Sequence, residues 1–172
     1  MDKNIIKPIV VLFAICLVAS VVLGFTNFLT ADTIEKRELD AQNEALHLVL
    51  DAKDYKPVEV QGHPDSAVFK AVDGDQTVGY CFVETKKGYG GDVKTVVGVK
   101  GGKVTAATVT DVSNETAGIG KKVANSDFTS KFTGKSSADG VTAITGATFS
   151  SKAVKSAVAE ALEIYGEVAD GE

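Results

Sequence analysis

The side chains that most often carry out chemistry in proteins are sparse in this sequence. It contains two histidines, His47 and His63, and two cysteines, Cys16 and Cys81. Neither histidine lies near a serine or cysteine in a pattern typical of an activated nucleophile, so hydrolase chemistry is poorly supported. Isolated cysteines and histidines also disfavour a zinc or iron–sulfur site. We therefore predict neither a catalytic side chain nor a bound metal.

A phosphate-binding loop is the next candidate. The stretch FTGKSS contains Gly134-Lys135-Ser136, which matches the end of the loop motif of nucleotide-binding proteins. That motif requires a glycine five residues before Gly134, where this chain has Thr129, and it follows a buried strand that the pattern here does not predict. We exclude this motif.

The stretch TAITGATFSS, residues 142–151, offers hydroxyl groups without a titrating neighbour. Gly146 and Ala147 are small and leave Thr148 sterically open. A threonine hydroxyl forms a phosphoester when an external enzyme activates it, so the loop needs no base of its own. The alternative interpretation is a turn followed by a helix N-cap at Thr148 or Ser150.

The charge pattern around this stretch favours an anion. Helix N-termini usually carry Asp or Glu, because unpaired N–H groups and the helix dipole make that end positive. Here the first turns of the last predicted helix contain Lys152 and Lys155, and its first carboxylate is Glu160. Between Lys121 and Ala159, six lysines stand against two acidic residues, which suits a bound phosphate. A solvated basic face is the alternative interpretation.

The elements that must position these residues begin with a long apolar segment. No charged side chain occurs from Pro8 to Ala31. As a helix this segment reaches roughly 36 Å, enough to cross a hydrocarbon core of about 30 Å. A secretory signal peptide has a shorter apolar region and a small-residue cleavage site, which Leu29-Thr30-Ala31 matches poorly. We predict a transmembrane anchor over residues 1–31.

The remaining chain reads as a stalk followed by one domain. Apolar residues at mostly helical intervals predict a helical stalk over residues 32–54. Residues 55–172 then form a compact domain of the α+β class, with a closing amphipathic helix in the stretch SSKAVKSAVAEALEIYGEV. Gly101-Gly102 is a strong hairpin signal. Alternating patterns predict three strands: Thr77–Thr85, Asp92–Lys100 and Lys103–Val112.

Charge limits the partners of this domain and its side of the membrane. The chain carries a net charge of −5. Because residues 1–31 contribute +1, the remainder carries −6, which argues against nucleic acid as a partner. Lys3 and Lys7 precede the apolar span, so we expect the N-terminus in the cytoplasm and the domain on the extracytoplasmic side of the cell membrane.

Two motifs, in this order after a single span, resemble a known family. NETAGIG, residues 114–120, is preceded by GYGGDVKTVVGV and a glycine hairpin, and ITGATFSS, residues 144–151, matches the Ser/Thr-Gly-Ala-Thr flavinylation motif. The sequence is similar to RnfG, the membrane-anchored flavoprotein of Rnf ion-translocating electron-transport complexes. That family is related to NqrC, a component of sodium-pumping quinone reductases.

The resemblance implies a covalently bound FMN. Thr148 would carry it through a phosphodiester, installed by a flavin transferase that takes the FMN moiety from FAD. Lys152 would help to offset the phosphate charge. The remaining residues implied by the motifs are Thr145, Gly146 and Ala147 in the loop offered to the transferase, and Glu115, Thr116, Gly118 and Gly120 along the flavin site.

By the same resemblance, the protein is a redox subunit that does not act alone. It would carry electrons among other Rnf subunits, in a complex that couples ferredoxin oxidation and NAD reduction to ion movement. Two alternatives stay open. One is the NqrC-like component of a sodium-pumping quinone reductase. The other is a flavin-free, membrane-anchored assembly domain, favoured by Ala117 and Thr142, where the family usually has proline and aspartate.

Overall fold

The protein is described by a computed structural model that covers residues 3–60, 62–64 and 66–169. Its contacts divide the chain into two compact units, Met1–Asp40 and Ala41–Glu172. Residues 170–172, the end of the domain predicted over residues 55–172, lie outside the described residues.

The first unit consists of most of helix α1, Lys3–Val49. Its segment Ile6–Ala31 has a mean hydropathy of 2.8 and its side chains are exposed, as expected for a helix surrounded by lipid. At about 1.5 Å per residue this segment reaches roughly 39 Å, long enough to span a membrane. α1 ends at Val49 and β1 begins at Asp54, so the last residues of the predicted stalk, 50–54, lie outside the helix.

The second unit is built on an antiparallel sheet with the strand order β1-β2-β3-β4-β5, in which each strand pairs with its neighbour in the chain. The α+β class is confirmed. Gly101 and Gly102 have φ angles of 59° and 71°, as the tight turn between β4 and β5 requires. The strands are β1 Asp54–Val58, β2 Ser66–Asp73, β3 Gln76–Lys87, β4 Asp92–Lys100 and β5 Lys103–Asp111.

Both faces of this sheet are covered, which explains why β3 and β4 read as nearly continuous apolar runs. On one face, Leu46 and Val49 at the end of α1 pack against Cys81 and Val83. Burial there raises the pKa of the Cys81 thiol to about 12, so it stays protonated. On the other face, Phe82 belongs to the core cluster shared with the last helix.

That last helix, α3, spans Thr148–Ala169 and closes the larger core. It contributes a buried stripe at helical spacing: Ala153, Val154, Ala157, Val158, Ala161 and Ile164. Between β5 and α3 lies a short helix α2, Ser126–Thr129, flanked by two 3-10 turns. Phe128 and Phe132 from this segment are buried and meet edge to face, with ring centroids 5.5 Å apart. The sequence patterns did not predict this segment.

Candidate functional site

Three loops converge at the start of α3 and enclose an open cavity of about 510 Å³. The first is the tip of the β3–β4 hairpin, the second is the loop after β5, and the third is the turn that leads into α3. All three belong to the second unit. The cavity is lined by Tyr89, Glu115, Thr116, Ile119, Gly120, Gly146, Ala147, Thr148, Phe149 and Ser150.

The turn before α3 is held in one conformation by its own backbone. Gly146 has a φ angle of 83°, a value that strains any residue with a side chain. The Ala147 N–H donates to the Ile144 carbonyl at 2.9 Å, and the Ile144 N–H donates to the Ser151 hydroxyl at 3.0 Å. The turn is thereby fastened to the first turn of the helix, and its last residue precedes Thr148.

Thr148 is the first residue of α3, and its side chain is exposed at the cavity. Backbone N–H groups in the first turn of a helix have no partner within the helix, and the dipole makes this end positive. The Thr148 hydroxyl therefore lies where an attached anion would be favoured.

Exposed apolar side chains form the rim of the cavity. Tyr89 is 72% exposed, Phe149 63% and Ile119 47%. The rings of Tyr89 and Phe149 lie 6.3 Å apart at an interplanar angle of 44°. Exposed aromatic and aliphatic side chains around a concave site are typical of a surface that binds a flat apolar ligand.

Glu115 lies beneath this rim and is only 4% exposed. Its Oε1 atom accepts hydrogen bonds from the backbone N–H of Tyr89 at 2.7 Å and of Gly90 at 3.2 Å. Its Oε2 atom accepts from the Ser150 hydroxyl at 2.7 Å. One buried carboxylate thus connects all three loops of the site.

Glycines make this close approach possible. A Cβ atom at Gly88 would overlap Glu115 Oε1, and one at Gly120 would lie 2.5 Å from Glu115 Oε2. A Cβ atom at Gly90 would overlap the backbone carbonyl of Asn114. The glycines of GYGG and NETAGIG therefore serve packing around the Glu115 carboxylate, in addition to any contact with a ligand.

One cluster of groups with shifted pKa values lies away from the cavity, around the middle of α3. Burial raises the pKa of Glu84, which is fully buried on β3. A hydrogen bond from His63 Nδ1 to Glu160 at 3.2 Å raises the pKa of His63. Lys86 forms ion pairs with Glu84, at 3.5 Å, and with Glu160. Within the described residues, no group of three or more His, Cys, Asp or Glu side chains is arranged to hold a metal.

Comparison with known proteins identifies the family. Residues 1–49 match the model of the RnfG N-terminal region, and residues 88–163 match the model of the FMN-binding domain. The G component of the Na(+)-translocating ferredoxin:NAD(+) oxidoreductase complex of Acetobacterium woodii is 31% identical over 95% of this chain and 92% of the relative. The chain belongs to the RnfG family.

Two further relatives of the same type agree with this assignment. One, from the proton-translocating ferredoxin:NAD(+) oxidoreductase complex of Clostridium ljungdahlii, is 29% identical over 86% of this chain and 84% of its own length. The other, from the ion-translocating oxidoreductase complex of Methanosarcina acetivorans, is 30% identical over 94% and 95%. The FMN-binding domain match covers the part of the chain that contains all three loops of the cavity.

The structure brings most of the predicted site residues of this RnfG-family chain together. Thr145 and Gly118 are exposed next to the cavity wall without lining it, and Gly118 supports its loop with a φ angle of 77°. Lys152 is exposed one helical turn after Thr148 and does not line the cavity either. Six predicted residues do line it: Glu115, Thr116, Gly120, Gly146, Ala147 and Thr148.

Four lining residues were missed by reasoning from the sequence: Tyr89, Ile119, Phe149 and Ser150. The glycines of GYGG indicate a flexible join, yet Tyr89 between them lines the cavity. Phe149 carried a signal, because it lies outside the apolar stripe of α3 and so had to face away from the core. Ser150 is the third residue of α3 and its hydroxyl donates to Glu115, so it does not hold the N-cap position that one form of the alternative interpretation required.

The structure also changes the interpretation of charge at the start of α3. The absence of an acidic residue from the first turn favoured a bound anion. Glu115, which lies 35 positions before Ser150, supplies a buried carboxylate there through its hydrogen bond to the Ser150 hydroxyl. Lys155 points to the backbone carbonyl of Asp139, at 3.4 Å. An anion attached at Thr148 would therefore share this helix end with a carboxylate.

Proposed function

We propose that this protein is the membrane-anchored, electron-carrying subunit of an Rnf-type complex and that it holds FMN covalently through Thr148. The single observation that carries the proposal is the exposed Thr148 hydroxyl at the first turn of α3, inside a cavity of the FMN-binding domain. FMN, when bound, accepts and donates electrons through its isoalloxazine ring. The protein residues bind and orient the cofactor.

The cavity fits FMN in size and in chemistry. Its volume of about 510 Å³ falls within the 300–1,000 Å³ or so that is usual for cofactor sites. Tyr89, Phe149 and Ile119 offer apolar surface to the flat ring system, while the first turn of α3 offers backbone N–H groups to a phosphate. Lys152, four residues after Thr148 and on the same side of the helix, would add positive charge near that phosphate.

The buried Glu115 carboxylate favours covalent attachment of FMN through a phosphodiester over reversible binding of free FMN. The phosphate of free FMN carries between one and two negative charges near neutral pH, whereas a phosphodiester carries one. Because Glu115 is bonded to Ser150 in the same helical turn as Thr148, a phosphate with a second charge would be repelled more than a phosphodiester. A covalent tether retains the cofactor in an open site despite this repulsion.

Attachment is a group transfer carried out by another enzyme. A bond forms between Thr148 Oγ1 and the phosphorus of the FMN moiety of FAD. The pyrophosphate bond of FAD breaks, AMP leaves, and the threonine proton passes to a base of the flavin transferase or to water. No side chain of this protein has to act as an acid or base, which agrees with the small number of titrating groups at the cavity.

The helix Ile6–Ala31 would hold the protein at the membrane beside other Rnf subunits. The relatives named above are components of ferredoxin:NAD(+) oxidoreductase complexes that translocate ions. By analogy, this chain would relay electrons within such a complex and would not act alone. Lys3 and Lys7 support a cytoplasmic N-terminus and a flavin domain on the extracytoplasmic side.

The test is co-expression of the full-length protein with a flavin transferase in a host that supplies FAD. We expect the protein band to fluoresce on a denaturing gel, and its intact mass to rise by FMN less one water. Thr148→Ala should abolish both signals, because no other hydroxyl occupies that position. Thr148→Ser, which keeps a hydroxyl, should restore part of the signal.

Thr133→Ala is the matched control, since Thr133 is an exposed threonine of the same domain that lies outside both the cavity lining and the loop offered to the transferase. It should remain fluorescent. An undiminished signal in folded Thr148→Ala protein would refute attachment at Thr148. A wild-type protein without added mass, after exposure to transferase and FAD, would favour the flavin-free assembly domain instead.

A further inference from the structure

We propose that Glu115 is a positioning residue that fastens the tip of the β3–β4 hairpin to the start of α3. It would thereby set the gap between the Tyr89 and Phe149 rings at the mouth of the cavity. The part of this inference that concerns the flavin rests on the proposed function, whereas the part that concerns the loops does not. The resemblance to the family assigns Glu115 only to the wall of the flavin site.

The bonding of the carboxylate supports this role. Both oxygens of Glu115 are engaged by internal donors, namely the N–H groups of Tyr89 and Gly90 and the hydroxyl of Ser150. Three donors around a side chain that is 4% exposed satisfy most of its acceptor capacity. A carboxylate bonded in this way holds protein segments together and has little capacity left for a ligand.

The segments that Glu115 connects are the ones that carry the exposed rings. Tyr89 donates its hydrogen bond from the backbone, so its side chain stays 72% exposed beside Phe149. Ser150 directly follows Phe149 and is the buried end of the same helical turn. A change in length or direction of the Glu115 side chain would therefore move one ring relative to the other.

Glycines on both sides of the carboxylate support the same role. Gly88 and Gly120 leave room for Oε1 and Oε2 respectively, and a Cβ atom at either position would displace the carboxylate. The Gly88 N–H also donates to the Gly91 carbonyl at 2.7 Å, which closes the hairpin tip that Glu115 holds. The carboxylate thus fits a space that is specific in shape as well as in charge.

Two conservative substitutions separate a role in positioning from a role of the negative charge. Glu115→Gln keeps the length: its carbonyl oxygen can accept from Tyr89 and Gly90, and its amide can donate to the Ser150 oxygen. Glu115→Asp keeps the charge but is shorter by one methylene, about 1.5 Å, and cannot reach both neighbours from the same backbone position. If Glu115 positions the loops, Glu115→Gln should disturb them less than Glu115→Asp does. If only the negative charge matters, Glu115→Asp should disturb them less.

The first measurement is hydrogen–deuterium exchange on the full-length protein produced without transferase, so that no flavin is involved. We expect the Tyr89 and Gly90 amides to exchange about tenfold faster or more in Glu115→Asp and Glu115→Ala, and at nearly the wild-type rate in Glu115→Gln. Glu163→Ala, which removes an exposed carboxylate from α3, is the matched control and should leave both amides unchanged.

The second measurement uses protein loaded with FMN by the transferase. Quenching of flavin fluorescence by iodide should rise in Glu115→Asp and stay near the wild-type value in Glu115→Gln, because only the former opens the gap between the rings. Loss of flavin from every variant, including the wild type, would count against the proposed function, and the exchange experiment would still decide the role of Glu115.

Two results would overturn the inference. One is exchange at Tyr89 and Gly90 that is equal in the Asp and Gln variants or slower in Asp. The other is exchange that stays at the wild-type rate in folded Glu115→Ala protein. Should Glu115→Ala fail to fold, which circular dichroism would reveal, the Asp and Gln pair alone decides.

Discussion

The two buried carboxylates in the described part of the second unit, Glu115 and Glu84, differ in how their oxygens are bonded. Both Glu115 oxygens accept hydrogen bonds from other segments of the chain. Glu84 Oε2 accepts from the Ser66 hydroxyl at 2.7 Å and faces Lys86, whereas Glu84 Oε1 is buried with no hydrogen-bond partner among the described residues. Burial raises the pKa of Glu84.

This difference separates a buried carboxylate that holds segments of the chain together from a buried carboxylate whose charge the fold only tolerates. A buried carboxylate with several donors fixes the segments that supply them, and its removal leaves those donors unsatisfied. A buried carboxylate with an unpaired oxygen costs free energy in its charged form, and its neutralisation relieves that cost. The cavity is organised by the first kind, and the sheet face under the middle of α3 contains the second.

The largest effect on stability should come from a substitution that fills the space beside Glu115. Gly120→Ala would place a Cβ atom 2.5 Å from Glu115 Oε2 and 3.3 Å from Ser150 Oγ, and the carboxylate has no free direction in which to move. We expect the free energy of unfolding to fall by about 1–3 kcal/mol, the range typical of overpacking. Urea denaturation followed by circular dichroism measures this change.

Gly166→Ala is the matched control on α3. A Cβ atom there would have nothing within 4 Å, and alanine favours a helix more than glycine does. We expect this variant to stabilise the protein by about 0.5–1 kcal/mol. If Gly120→Ala also stabilised the protein, Glu115 would not be confined by its neighbours and the contrast with Glu84 would disappear.

Local patterns predicted the parts of this fold that are themselves local. The glycine pair between β4 and β5, the alternation along those strands and the helical stripe of α3 each depend on residues a few positions apart. Thr148 could be singled out as a candidate from the sequence, because small neighbours and a short motif mark it. The 3-10 turns around Phe128 and Phe132 have no hydrophobic periodicity and could not be predicted from the sequence.

The contacts that complete the site join distant positions, which no local pattern encodes. Glu115 bonds to Tyr89, 26 positions earlier, and to Ser150, 35 positions later. The pairing of Tyr89 with Phe149 depends on the same long-range closure. The lysines near the start of α3 suggested a bound phosphate or a solvated basic face at this helix end, and the nearby carboxylate of Glu115 is placed there only by the folding of the chain.

A smaller change in stability, a gain instead of a loss, should follow from neutralising the buried carboxylate of Glu84. Because folding raises the pKa of Glu84 above its ordinary 4.5, its contribution to stability is present below that pH and is lost as pH rises through the folded pKa. Glu84→Gln removes this loss, because a glutamine side chain carries no charge to bury. We expect a gain of about 1 kcal/mol at pH 8 that vanishes near pH 4.

Thermal unfolding of the wild type and Glu84→Gln at both pH values measures this gain. Glu59→Gln, which neutralises a glutamate outside the sheet, should show no such pH-dependent gain. A loss of stability at pH 8 in Glu84→Gln would mean that the ion pair with Lys86 outweighs the burial of Glu84, and the two carboxylates would then be alike.

The smallest expected effect on stability concerns His63, which bonds to Glu160, the ion-pair partner of Lys86. Its hydrogen bond to Glu160 raises its pKa, with further contributions from Glu167 and Glu163 on α3, while Lys86 on β3 faces the same carboxylate. A raised histidine pKa stabilises the protein below the ordinary value of 6.5, and this stabilisation is lost as pH rises through the folded pKa.

Relative to His63→Gln, the wild type should therefore have a higher Tm at pH 5.5, and the difference should shrink toward pH 8.5. The difference should be small because the pair is near the surface and water screens it. Glu160→Gln should reduce the pH dependence of this difference, since it removes the main acceptor of His63 and leaves only the contributions of Glu167 and Glu163. A Tm difference that is constant with pH would mean that His63 packs without bearing charge.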